Sequence, residues 1–166
     1  MTLLDAPVYD AARYRRHQVY LWSGVGLVLV LLIGGWLVSG MPVDWPWNWW
    51  THFQGRSAAN RFLSSVERND LQKAYGVWIH DPNWQAHPDK TGTYSFSRFQ
   101  QDWSSTSPDN EYGIIHSHKI IAARRSGNVL IMGIRINGLK SKALFLTYDP
   151  KDHTLGFSPL ELYLGP

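Results

Sequence analysis

The sequence predicts an α+β protein: one transmembrane helix, then three helices packed on a four-stranded antiparallel sheet. Three observations carry this. There is an uncharged apolar run near the N-terminus, helical spacing of apolar residues between Ser57 and Trp103, and a change to a period of two from Tyr112 onward.

The apolar run comes first in the chain. From His17 to Val43 there is no Asp, Glu, Lys or Arg, and the centre, VYLWSGVGLVLVLLIGGWLV (residues 19 to 38), is almost wholly apolar. At about 1.5 Å per residue such a segment spans roughly 30 Å, the hydrocarbon thickness of a bilayer. Arg13, Arg15 and Arg16 before it and Val38-Ser39-Gly40 after it also resemble the flanks of a signal peptide. The run is longer than the roughly 7 to 15 residues of a signal core, so a retained transmembrane helix over residues 19 to 39 is expected. Three arginines precede this helix and the first Lys or Arg beyond it is Arg56. Positively charged flanks stay on the cytoplasmic side, which places the N-terminus inside and the domain outside.

Residues 1 to 18 form a polar tail without helical periodicity and are expected to be disordered. Residues 40 to 56 carry Gly40, Pro42, Pro46 and Gly55 and read as a Trp/Pro-rich connector. Trp and Tyr concentrate where bilayer meets water. Tyr20 and Trp22 therefore mark one end of the helix, and Trp36, Trp45, Trp47, Trp49 and Trp50 the other, with the lipid bilayer as partner. Pro46 is expected to stop any regular continuation, so that the tryptophans lie along the interface.

The domain, residues 57 to 166, opens with Ser57 as a plausible N-cap for SAANRFLSSVERND, in which Phe62, Leu63 and Val66 share a helical face. Asp70 can cap the next helix, where Leu71, Ala74, Tyr75 and Trp78 follow the i, i+3, i+4, i+7 rule. A third helix reads from SFSRFQQDW, started either by Ser95 with a Tyr94 to Phe99 staple or by Ser97 with Gln100. Four strands follow: GIIHSHKIIAARR, VLIMGIRI, KALFLTYD and LGFSPLELYL, divided by Ser126-Gly127-Asn128, Asn137-Gly138 and PKDHT. In the second, Leu130, Met132, Ile134 and Ile136 share the face expected to meet the helices.

Composition narrows the function classes. The net charge is +3, and from Thr51 onward 13 basic residues face 10 acidic ones. Beyond Arg124 and Arg125 no basic cluster with interleaved aromatics occurs, which argues against nucleic acid as a partner. The chain has no cysteine, which removes disulfides, thiolate catalysis and Cys-based metal sites. No glycine-rich phosphate loop, GxSxG elbow or HExxH motif is present.

AANRFLSSVERNDLQKAYGVW (58 to 78) followed by SFSRFQQDW (95 to 103) and a long antiparallel sheet resembles the nuclear transport factor 2-like superfamily, over roughly residues 57 to 163. The likeness is to small bacterial members in which an anchor precedes one such domain. It implies a curved, cone-like sheet enclosing a pocket with the helices, and a bacterial inner membrane location with the domain periplasmic or extracellular. In that superfamily the pocket serves some members as an active site and others for protein association. Membrane-tethered members also occur as assembly components of bacterial secretion machines.

Candidate site residues follow from chemistry. His116 and His118, two apart on an expected strand, would share one face and need a third ligand to hold zinc or copper. His80 and His87, with Asp81 or Asp89, could supply it only if the fold brought them near, and no metal or other cofactor is assigned. Arg135 interrupts an apolar strand and on a concave face would require a carboxylate or an anionic ligand. Asp102, His116, His118 and Tyr148 are the acid or base candidates, and Trp78, Trp84 and Trp103 read as core or pocket-lining aromatics. The expected function is a non-enzymatic, membrane-anchored interaction or assembly module with a membrane or periplasmic protein partner, homo-oligomerisation being left open. The alternative is a pocket for a small ligand, lined by Arg135, His116, His118, Tyr148 and Trp103, with or without acid/base catalysis.

Overall fold

A computed structural model describes residues 10–92, 94–139 and 142–162. The apolar run lies in α1, Ala11–Val38, 28 residues long and exposed along almost its whole length. Asp10 caps it, accepting from the N–H groups of Ala12 and Arg13 at 3.0 Å. This carboxylate satisfies otherwise unpaired donors and complements the helix dipole, so residues 11 to 18 are helical where disorder was expected. Residues 1 to 9 of that tail lie outside the described residues.

The second correction concerns the connector. A 3₁₀ turn at Pro46–Asn48 runs directly into α2, Trp49–Glu67, so Ser57 sits inside a helix rather than capping it. Pro46 occupies a first-turn position, where its missing N–H costs nothing, and it starts the element it was expected to stop.

The next two helices have the predicted caps. In α3, Leu71–Trp78, the Asp70 carboxylate accepts from Lys73 N–H at 3.1 Å. In α4, Phe96–Trp103, Ser95 Oγ accepts from Arg98 N–H, and the Tyr94 and Phe99 rings lie 5.9 Å apart.

Four strands, β1 (His118–Ser126), β2 (Val129–Ile136), β3 (Ala143–Tyr148) and β4 (Leu155–Phe157), form an open antiparallel sheet in sequence order. Left-handed backbone at Gly127, at Asn137 with Gly138, and at His153 accommodates the three reversals. β3 lacks only the end residues of its expected stretch, whereas two strands are shorter by several residues. Residues 113 to 117 are outside β1 because β2 ends at Ile136; instead the Asn137 side chain accepts from His116 and Ser117 N–H and donates to Ile114 O. β4 stops at Phe157, and residues 158 to 162 form no strand, with Pro159 lacking a ladder donor.

Leu130, Met132, Ile134 and Ile136 are fully buried, so the even-numbered face of β2 is the core face as its alternation predicts. Against it pack Ala59, Phe62 and Leu63 of α2, Tyr75 and Trp78 of α3, and Phe99 and Trp103 of α4. The rings of this core meet edge-on or tilted; Phe62 lies 4.9 Å from Trp103 at 89° and 5.2 Å from Trp78 at 59°. The described residues thus form an α+β arrangement, with four α-helices, one of them long and apolar enough to cross a membrane, and an open four-stranded sheet.

Candidate functional site: a cationic cleft where α1 meets the domain

The candidate residues from the sequence do not converge. Trp103 is 3% exposed in the aromatic core, and its Nε1 donates to the Tyr94 hydroxyl at 3.2 Å. That hydroxyl donates to Asp102 at 2.9 Å, and Asp102 is ion-paired with Arg98 at 3.2 Å. Burial, then the Asp102 carboxylate, pushes the Tyr94 hydroxyl far above its ordinary range, so the network holds a neutral phenol. Tyr148 is 2% exposed on the core face of β3 and shares a 2.6 Å hydrogen bond with His153 Nδ1. Burial raises its phenol as well.

His118 bridges sheet and helix, with Nδ1 2.7 Å from Glu67 Oε1 and Nε2 3.1 Å from Asn60 Oδ1. His116 is exposed in the loop before β1, so the two histidines do not share a strand face. Arg135 lies on the sheet face away from the helices, half-buried, between Lys119 and Ala143 of the neighbouring strands. It borders none of the clefts described below. His87 pairs with Asp81 at 2.8 Å, whereas the His80 ring faces His153 at 5.1 Å. Among the described residues no three His, Cys, Asp or Glu side chains gather into a metal site.

Several clefts open on the surface. One of about 380 Å³ lies beside Asp102, Trp103 and Phe157, and one of about 590 Å³ beside Arg61, Lys73 and Trp84. A smaller one of about 320 Å³ is lined by Arg61, His80, Tyr148 and His153. The cleft with a single dominant chemistry is a fourth, of about 750 Å³, between the end of α1, the start of α2, and β1.

Local backbone chemistry builds that cleft. The helix α1 ends with Gly40 in the left-handed region, Gly40 N–H donating to Leu37 O and Met41 N–H to Trp36 O. The chain then folds back: Trp36 Nε1 donates to Pro42 O at 3.2 Å and Trp49 Nε1 to Asp44 O at 3.1 Å. The Trp49 ring packs against Gly35 of α1. Because α2 begins this early, Asn48, His52 and Arg56 recur every fourth residue along one side of it.

The opposite wall is β1. A bulge between Ile120 and Ala122 shifts its register by one residue, so Ala123 and Arg125, rather than Arg124, share the core side with Met132 and Leu130. Arg125 thereby reaches α2, donating from Nη1 to Asn48 Oδ1 and from Nε to Gly127 O.

Arg56 and Arg125 line this cleft with one carboxylate, Asp44, and Arg124 borders it from the other face of the edge strand β1. Asp44 already accepts from Trp45 N–H at 2.8 Å and Asn48 Nδ2 at 2.9 Å, and contacts His52 Nε2 at 3.3 Å. These contacts, led by Asn48, hold its carboxyl below the usual range. His52 is 3% exposed, and burial drives its imidazole toward the neutral form; Asp44 opposes this, and Arg56 and Arg125 add to it. The cleft therefore carries an excess of fixed positive charge, suited to an oxyanion.

Sequence reasoning missed this set. The signal was the Asn48, His52, Arg56 spacing, hidden by starting the helix at Ser57. Comparison with protein-family models, curated proteins and solved structures finds no match to this chain.

Proposed function

We propose that this chain is a single-pass protein of the bacterial inner membrane, its N-terminus cytoplasmic and its C-terminal domain outside. The domain acts as a non-enzymatic interaction or assembly module of nuclear transport factor 2-like type, meeting a membrane or periplasmic protein partner in two dimensions. The observation that carries this reading is the junction of α1 with the domain. An exposed apolar helix of 28 residues is followed after ten residues by α2, with Trp36, Trp49 and Arg56 packed across the join. A helix joined in this way would hold the domain at one distance and in one orientation above a bilayer, which serves assembly more than diffusion of a soluble catalyst. The dispersal of the acid and base candidates, most of them held by neighbours within the chain, supports a binding role.

Two measurements test the reading. Reporter fusions at Asp5 and Pro166 should report opposite compartments, and the same compartment for both refutes the topology. Crosslinking of the full chain in its own membrane should return one repeatable protein partner, and its absence refutes the assembly role.

A further inference from the structure

We propose that the cleft between α1, α2 and β1 is a headgroup site for an anionic phospholipid, whose phosphate is held by Arg125 and Arg56, with the charge of Arg124 at the edge of β1 beside it. This inference rests on the reading of α1 as a membrane helix.

Position is the first argument. The rim of the cleft is Gly40 to Asp44, the first residues beyond α1. A bilayer of about 30 Å hydrocarbon thickness measures roughly 40–45 Å with its headgroups, so the headgroup layer extends only a few ångströms beyond each face. With α1 crossing the membrane, the mouth of the cleft opens at the depth of the lipid phosphates.

Charge is the second. Asp44 is committed to three partners within the chain and offers little to a second cation. The Arg124 side chain is exposed on the edge strand β1 beside the cleft and, among the described residues, has neither a hydrogen-bond nor an ion-pair partner, so its charge adds to the field there. The Arg125 guanidinium donates from Nη1 to Asn48 Oδ1 and from Nε to Gly127 O, and its Nη2 is left to a ligand. Planar guanidinium forks match phosphate oxygens in pairs, and their charge is permanent.

The third argument is the apolar surround. Met41 and Val43, on the rim, point their side chains outward, Val43 being fully exposed, and the exposed Trp45, Trp47 and Trp50 follow. A polar cleft edged by apolar side chains fits a ligand whose head is anionic and whose tail is hydrocarbon. A nucleic acid would need a row of phosphate contacts beyond one cleft. A zwitterionic lipid would need an acceptor for its ammonium group; Asp44 is occupied, and Trp45 and Trp47 stack on each other at 5.0 Å rather than framing a cation.

The test uses the full chain in a neutral detergent, titrated with phosphatidylglycerol, with phosphatidylcholine, or with inorganic phosphate, while the thermal midpoint is followed. Phosphatidylglycerol should raise the midpoint saturably and the other two should not. Arg125→Gln, a change at an exposed side chain, should weaken the phosphatidylglycerol response by about tenfold, the scale of one charge-assisted contact. The double variant with Arg124→Gln should abolish it. Equal responses to both lipids, or a phosphatidylglycerol response untouched in both variants, overturn the proposal. A full response to inorganic phosphate replaces the lipid with a soluble anion and overturns it as well. Extraction of cell membranes at alkaline pH separates this from the anchoring reading: release of the chain refutes the anchor, whereas retention with no phosphatidylglycerol response refutes the headgroup site alone.

Discussion

Arg56 lies over Gly40, so that a Cβ on residue 40 would fall 2.5 Å from Nε and 2.7 Å from Cζ of the guanidinium. Gly40 also holds a φ of 87°. The cation thus lies beside the C-terminal end of α1, where the negative end of the helix dipole attracts it, and a side chain at residue 40 would strain the turn and displace the guanidinium.

Gly40→Ala should cost about 1–2 kcal/mol from left-handed backbone alone, with the overlap added to it. Combining it with Arg56→Gln should cost less than the sum of the two single changes, measured by chemical denaturation of the full chain in detergent. Additive costs would show that the two residues do not meet.

His52 makes the fold sensitive to acid. Its folded value lies below the ordinary 6.5, chiefly through burial, so the unfolded chain takes up this proton first. The stability it supports is present above pH 6.5 and is lost as the pH falls from there through the depressed folded value. Asp44 is also depressed, and its contribution is lost at lower pH, below the ordinary 3.8. His52→Asn should therefore flatten the thermal midpoint just below pH 6.5 and leave the lower limb in place; an unchanged profile refutes the assignment.

Gly55 sets how closely α2 approaches the sheet. A Cβ there would lie 2.6 Å from Leu130 Cδ2 and 3.1 Å from Tyr148 Cδ1. Gly55→Ala should destabilise by about 1–3 kcal/mol, as overpacking does, despite the better helix propensity of alanine. Leu130→Val should recover part of that loss, and a neutral Gly55→Ala in urea unfolding would show that the contact yields freely.

Trp45, Trp47 and Trp50 are exposed, whereas Trp49 is turned inward against Gly35. In proteoliposomes, lipids brominated on their upper acyl carbons should quench the fluorescence of the native chain more than that of a variant with these three changed to Phe. Equal quenching would place the three away from the interface, since depth decides contact with the bromines.

Much of the framework is legible locally. The core face of β2 follows from alternation at Leu130, Met132, Ile134 and Ile136, and the starts of α3 and α4 from the capping chemistry of Asp70 and Ser95. These succeed because a period or a cap reports energies felt within one turn or one strand. His116 shows where such reasoning fails. Its own stretch reads as strand, yet β2 ends at Ile136 and leaves no backbone partner for it, which Asn137 supplies instead.

By itself the sequence determined that α1 is long and apolar, that helices precede strands, and which face of β2 meets the core, because each is a property of neighbouring residues. Only the tertiary structure decided that α2 begins at Trp49, because docking of Trp49 on Gly35 and Asp44 fixes a start that Pro46 permits and no local pattern singles out. It also decided that Arg125 meets Asn48, because a one-residue bulge in β1 turns that side chain toward a helix 77 residues away in sequence. The cationic cleft exists through those two events; the first leaves a trace in the Asn48, His52, Arg56 spacing, and the bulge leaves none.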